Sequence, residues 1–145
     1  MQAFNVSPFD RSSAGIDAVR VLMQNLERDR SVVIFPEGTR SPDGTLQKGM
    51  LGVVFLALRS QAPILPVAVT GTNKFPLWRV PFPFKRMKVS IGPPFTLPTI
   101  EGNPSREVMS SILDMVMNRI AEQLPPELRG VYDNKGKTQA YRHPK

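Results

Sequence analysis

The sequence predicts an α/β protein, a mostly parallel sheet flanked by helices, on three observations. Val32 to Phe35 is a short apolar, β-branched run that reads as a buried strand. A mostly apolar stretch of helical length, Gly49 to Ser60, follows, and a second strand-like run, Ile64 to Thr70, comes next. Strand, helix and strand in that order imply a right-handed parallel crossover. Charged residues, Glu37 and Arg40, gather where the first strand ends, which is where open α/β sheets hold their ligands.

Gln2 to Val6 reads as a short strand, interrupted by Ser7-Pro8. Ser12 or Ser13 caps a helix that runs to about Arg28, with Ile16, Val19, Leu22, Met23 and Leu26 on one face. Pro36 lacks a backbone donor, so the first ladder ends at Phe35. Gly38 stands where the chain needs a conformation other residues resist. Ser41-Pro42-Asp43-Gly44 closes the loop with strong turn chemistry. The stretch from Gly49 to Ser60 is hydrophobic nearly all round, so it is expected to be buried or to lie against a membrane or partner. Pro66 marks the following strand as an edge or a bulge.

Asn73 to Arg86 is a long loop of aromatics, prolines and basic residues. Trp78, Phe82 and Phe84 suit an interface that is apolar on one side and wet on the other, and the cations suit anionic headgroups. Rings tucked inward over the core are the structural alternative. Single-stranded nucleic acid ranks lower, because no RNA-binding signature accompanies the aromatics, and no nucleic-acid partner is expected. Met87 to Gly92 alternates like a strand. Asn103 caps a last helix, with Pro104 at its first position and an end near Leu124. Val108, Ile112, Leu113, Val116 and Ile120 form its inner side, and Met109, Met115 and Met117 read as packing. From Gly130 the sequence is polar and basic. The expected organisation is therefore one domain over 1–129 and a flexible tail over 130–145.

A chain of 145 residues is long enough for one domain with a real core. It has no cysteine, which excludes disulfides and thiolate metal sites, and one histidine with scattered carboxylates suggests no metal centre. No run is long enough to span a bilayer, and none resembles a signal peptide. The net charge is +7. From Gly44 to Ile100 there are seven basic residues and no acidic one, while the remainder balances at twelve of each. The basic excess therefore follows directly on the Glu37–Arg40 loop, and such a field attracts phosphate esters, acidic lipid headgroups or nucleic acid. Gly44 is not followed by Lys-Ser or Lys-Thr, so this is no Walker-type phosphate loop.

Phe35-Pro36-Glu37-Gly38-Thr39-Arg40-Ser41, with an apolar strand before it and Lys48-Gly49 after it, resembles the signature of the glycerolipid (lysophospholipid) acyltransferases. These are the 1-acylglycerol-3-phosphate O-acyltransferase-like enzymes. Asp10-Arg11 resembles the family's second motif, whose arginine is associated with glycerol phosphate. Ile64 to Val69 followed by Gly71 resembles the fourth motif. The likeness runs from roughly Asp10 to Leu124. Without it, Glu37 and Arg40 read equally as a surface turn with an ion pair, and Arg11 as a solvated charge or a partner of Asp10.

The resemblance implies a partial glycerolipid acyltransferase fold. It also implies transfer of a fatty acyl group from acyl-CoA or acyl carrier protein to lysophosphatidic acid or a related lysolipid. Arg40 would grip the phosphate bidentately, assisted by Arg11 and possibly Lys48. Glu37 would orient Arg40 or accept from the acceptor hydroxyl. Gly38 would let the backbone approach, and Thr39 would donate. No cofactor is implied beyond the acyl donor. The partners would be the lysolipid, the donor and an anionic membrane surface, with the protein peripheral on the cytoplasmic face.

The family's base comes from an Asn-His-x4-Asp motif upstream of Asp10-Arg11, and these 145 residues do not contain that motif. The sole histidine, His143, has no room for an aspartate five positions on. No catalytic residue is therefore assigned. The expectation is an N-terminally truncated acyltransferase, inactive alone. The alternative is a non-catalytic anion- or membrane-surface-binding domain on the same scaffold.

Overall fold

The computed structural model describes residues 14–71 and 87–133, with side chains in the first helix from residue 19. The strand read at Gln2 to Val6, Arg11, the capping serines Ser12 and Ser13, the side chain of Ile16, the aromatic loop from Asn73 to Arg86 and His143 lie outside the described residues.

Helix α1 (Ala14–Glu27) forms where apolar residues recur at helical spacing. Val19, Leu22, Met23 and Leu26 are half-buried on it. It closes in a Schellman motif: the Arg30 N–H donates to the Asn25 carbonyl at 3.0 Å, and the Asp29 N–H to the Leu26 carbonyl at 3.1 Å. Asp29 takes the left-handed conformation, φ 54°, that glycine usually fills.

Val32 to Phe35 follows, outside any helix and joined to no ladder among the described residues. Val33 is 82% exposed and Phe35 80%. This corrects the expectation of a buried strand. A β-branched apolar run signals a segment that buries well beside other strands, and none of the described strands lies alongside it.

Helix α2 (Gly52–Ser60) packs against α1 on one side and the last helix on the other. Val54, Leu56 and Ala57 are buried, as its apolar character demands, while Phe55 stays about half exposed. Gln61 ends it in the left-handed conformation, its N–H returning to the Ala57 carbonyl.

Strands β1 (Val67–Thr70) and β2 (Lys88–Ile91) pair antiparallel, with Val67 opposite Ile91 and Val69 opposite Val89. The one sheet among the described residues is this two-stranded ribbon, so the expected mostly parallel sheet is not found there. β1 pairs with the strand that follows it, not with Val32 to Phe35 before α2. The pairing continues as an isolated bridge between Ile64 and Phe95. Three steps from Ile64 to Val67 oppose four from Ile91 to Phe95, so the extra residue lies in Gly92-Pro93-Pro94, across from Pro66 and not in its strand.

Helix α3 (Arg106–Ala121) starts two residues later than the Asn103-Pro104 reading. Ser105 is its cap, its hydroxyl accepting the Val108 N–H at 3.4 Å. Ile112, Leu113, Val116, Met117 and Ala121 face the core. Met117 is fully buried, whereas Met115 is 38% exposed. Two 3-10 turns, Pro126–Leu128 and Gly130–Tyr132, complete the described chain. Tyr132 is buried in the core cluster, so packed structure continues past residue 129, into the stretch read as tail. Among the described residues no helix is long and apolar enough to cross a membrane.

Candidate functional site

The loop from Pro36 to Met50 is closed at its neck, where the Met50 N–H donates to the Pro36 carbonyl at 2.8 Å. It opens with a tight turn, the Gly38 N–H donating to the Phe35 carbonyl at 3.1 Å across Pro36-Glu37. Gly38 has φ 66°, and a Cβ there would collide with the Met50 thioether. Both facts explain the glycine.

Two carboxylates organise the interior of the loop. Glu37 Oε2 accepts the Gln47 backbone N–H at 2.8 Å, tying the outgoing arm to the returning one. Asp43 Oδ1 accepts from the Ser41 hydroxyl at 2.9 Å, the Thr45 N–H at 2.9 Å and the Thr45 hydroxyl at 2.8 Å. The Thr45 N–H and hydroxyl, then the Ser41 hydroxyl, hold the Asp43 carboxyl below its usual range, because all of them favour the charged form. The Gly44 N–H donates to the Ser41 hydroxyl at 3.0 Å. This is the turn that Ser41-Pro42-Asp43-Gly44 predicts.

No ion pair joins Glu37 to Arg40. The plain surface ion pair is therefore not found, and if Glu37 orients Arg40 it does so without a salt bridge to it. A backbone N–H that would otherwise lack a partner takes the carboxylate instead. Arg40 is exposed, and its guanidinium has no partner among the described residues. Thr39, Gly38 and Lys48 are exposed around the same loop. Arg11 lies outside the described residues, so the site has one placed arginine. Of the basic middle segment, Lys48, Arg59 and Lys88 are described.

The returning arm rests on the C-terminal turns. The Leu46 N–H donates to the Leu128 carbonyl at 2.9 Å, and the Gly49 N–H to the Tyr132 hydroxyl at 3.3 Å. Burial is the main cause that raises the Tyr132 pKa, with the Gly49 hydrogen bond opposing it. Gly49 has no room for a side chain. A Cβ would lie 2.7 Å from Met117 Sδ and 2.9 Å from Leu113 Cδ1.

Sequence reasoning missed Gln47 and Tyr132. A glutamine whose backbone N–H does the work leaves no trace in its side chain, and a tyrosine beside a polar, basic stretch looks exposed. An apolar cleft of about 180 Å3 also lies at the loop's neck. It is lined by Val19 and Leu22 of α1, Phe35, Pro36 and Met50 at the loop's ends, and Leu56 of α2. Its volume is below the several hundred Å3 typical of small-molecule sites. Among the described residues no group of three potential metal ligands occurs.

Over residues 1–70 the sequence matches the family model described as Acyltransferase. It is 49% identical over 57 residues to a 1-acyl-sn-glycerol-3-phosphate acyltransferase of Limnanthes alba, covering 39% of this chain and 19% of that protein. To the protein of that name from Bacillus subtilis (strain 168) it is 28% identical over 123 residues, 84% of this chain and 59% of that one. The fold matches the crystal structure of the 1-acyl-sn-glycerophosphate (LPA) acyltransferase PlsC from Thermotoga maritima with a TM-score of 0.50 and 27% identity. That match covers 68% of this chain and 40% of that chain. The chain thus spans from 19% to 59% of the length of these relatives.

Proposed function

We propose that this chain is a member of the acyltransferase family whose model it matches over residues 1–70, and that its Pro36–Met50 loop is the acceptor-phosphate grip of a phospholipid-synthesis enzyme. The acceptor is 1-acylglycerol-3-phosphate or a related lysolipid, and the donor is acyl-CoA or acyl carrier protein. One observation carries this reading. Both loop carboxylates accept hydrogen bonds from donors of the loop, and the Arg40 guanidinium is exposed with no partner among the described residues. With the Glu37 carboxylate turned to the Gln47 N–H, the exposed Arg40 guanidinium is left to meet an anion from outside. A planar fork of that kind binds a phosphate dianion through two parallel hydrogen bonds. Gly38 leaves room at the rim, and Lys48 adds charge.

In the transfer itself, the lysolipid hydroxyl attacks the thioester carbonyl. A C–O bond forms, the C–S bond breaks, and the hydroxyl proton passes to a base. The residues described here hold the acceptor for that attack and contribute no histidine to it. The reading therefore assigns acceptor binding, not proton abstraction, to these 145 residues, and the chain alone is expected to be inactive. Peripheral attachment to the cytoplasmic face of an anionic membrane is part of the same proposal. The basic middle segment and the apolar outer face of the ribbon, Val67, Val69, Val89 and Ile91, support it.

The test pairs binding with turnover. The 145-residue chain is titrated with sn-glycerol 3-phosphate and with glycerol, and is then supplied with lysophosphatidic acid and acyl-CoA. Binding of the phosphate ester alone, without acylation, supports the reading. Equal affinity for glycerol would remove the phosphate grip, and robust acylation would remove the claim that the base is lacking.

A further inference from the structure

We propose that Tyr132 is a positioning residue for the Arg40 loop, acting through the peptide between Lys48 and Gly49. The proposal rests on the reading of that loop as an anion grip. Its residue lies well beyond residues 1–70, where the family model matches.

The geometry points one way. The outgoing arm of the loop, which carries Gly38, Thr39 and Arg40, is held to the returning arm at the Glu37–Gln47 and Pro36–Met50 contacts. The returning arm is in turn held to the body by the two C-terminal turns. The Leu128 carbonyl takes the Leu46 N–H, and the Tyr132 hydroxyl takes the Gly49 N–H. Gly130, at φ 54°, brings its backbone so close to the Leu46 carbonyl that a Cβ there would overlap it. Tyr132 itself is fixed, since its ring is buried in the same cluster as Leu113 and Met117. Its hydroxyl is thus a rigid acceptor set under Gly49, two residues from the N–H that binds Glu37. Lys48 lies between them. A hydroxyl anchored in the core sets the height of the returning arm, and through Glu37 that of the arm presenting Arg40.

Tyr132→Phe tests this in the full 145-residue chain, because it keeps the ring and deletes one oxygen. Amide hydrogen exchange is followed at Gln47, Gly49 and Leu113, with Val131→Ala, an exposed neighbour in the same turn, as the control. Affinity for sn-glycerol 3-phosphate is measured on the same samples. The expected result is exchange faster by roughly three- to tenfold at Gly49 and Gln47, with Leu113 unchanged, and affinity weaker by a similar factor. Val131→Ala should match the parent chain.

Unchanged exchange at Gln47 would overturn the proposal. Equal acceleration at Gln47 and Leu113 would also overturn it, since Tyr132 would then only support the core. If Arg40→Ala binds the ester as well as the parent chain does, the anion-grip reading fails, and the exchange measurement still decides whether Tyr132 holds the loop. If binding depends on Arg40 but Tyr132→Phe binds equally well, the reading stands and the positioning role falls.

Discussion

The Glu37 carboxylate accepts the Gln47 backbone N–H at 2.8 Å, and that bond, not a salt bridge to Arg40, gives the loop its shape. The negative charge of the motif is spent inward. The positive charge three residues later faces out, and the division follows from which polar group would otherwise lack a partner.

Replacing Glu37 should therefore act on the loop's own stability. Glu37→Ala leaves the half-buried Gln47 N–H without its acceptor and is expected to cost about 1–2 kcal/mol. Glu37→Gln keeps an oxygen in place and should cost less. Urea denaturation of the two variants and the parent measures the difference. Equal losses for both would show that charge, not acceptance of the N–H, is what matters.

Asp43 makes the loop sensitive to acid in a defined direction. Hydrogen bonds from the Thr45 N–H and hydroxyl and from the Ser41 hydroxyl favour its charged form, so its folded-state pKa lies below the usual aspartate range. A depressed carboxyl contributes stability above the unfolded pKa and loses it as pH falls through the folded one. The Thr45 and Gly44 amide shifts should titrate with a midpoint below that of an unperturbed aspartate. Asp43→Asn should abolish that transition. A transition centred at or above the midpoint of an unperturbed aspartate would contradict the assignment.

The methionines of α3 divide by burial. Met117 is fully buried and touches the site that Gly49 leaves open, so Met117→Ala is expected to cost about 2–5 kcal/mol. Met115 is 38% exposed, and Met115→Ala should cost well under half as much. Thermal unfolding of both variants reads this ordering.

What was legible in the sequence was local. Helical spacing located α1, α2 and α3. Alternation located β2, and Ser41 to Gly44 announced the turn. Each of these signals resides in neighbouring residues. Pairing did not, because whether β1 sits beside Val32 to Phe35 or beside β2 depends on which strands are brought together. The buried-strand character of Val32 to Phe35 is a true property of those side chains, but burial requires partners they do not find among the described residues. At the site, Arg40 and Gly38 could be read from the motif. Gln47 and Tyr132 could not, since one works through its backbone and the other reaches Gly49 from 83 residues away.

Titration of sn-glycerol 3-phosphate against the parent chain, Arg40→Lys and Arg40→Ala decides whether Arg40 holds the phosphate. The account predicts a loss of about tenfold or more for alanine, with lysine in between because it keeps the charge but not the fork. Identical affinities for all three would mean that Arg40 does not hold the phosphate.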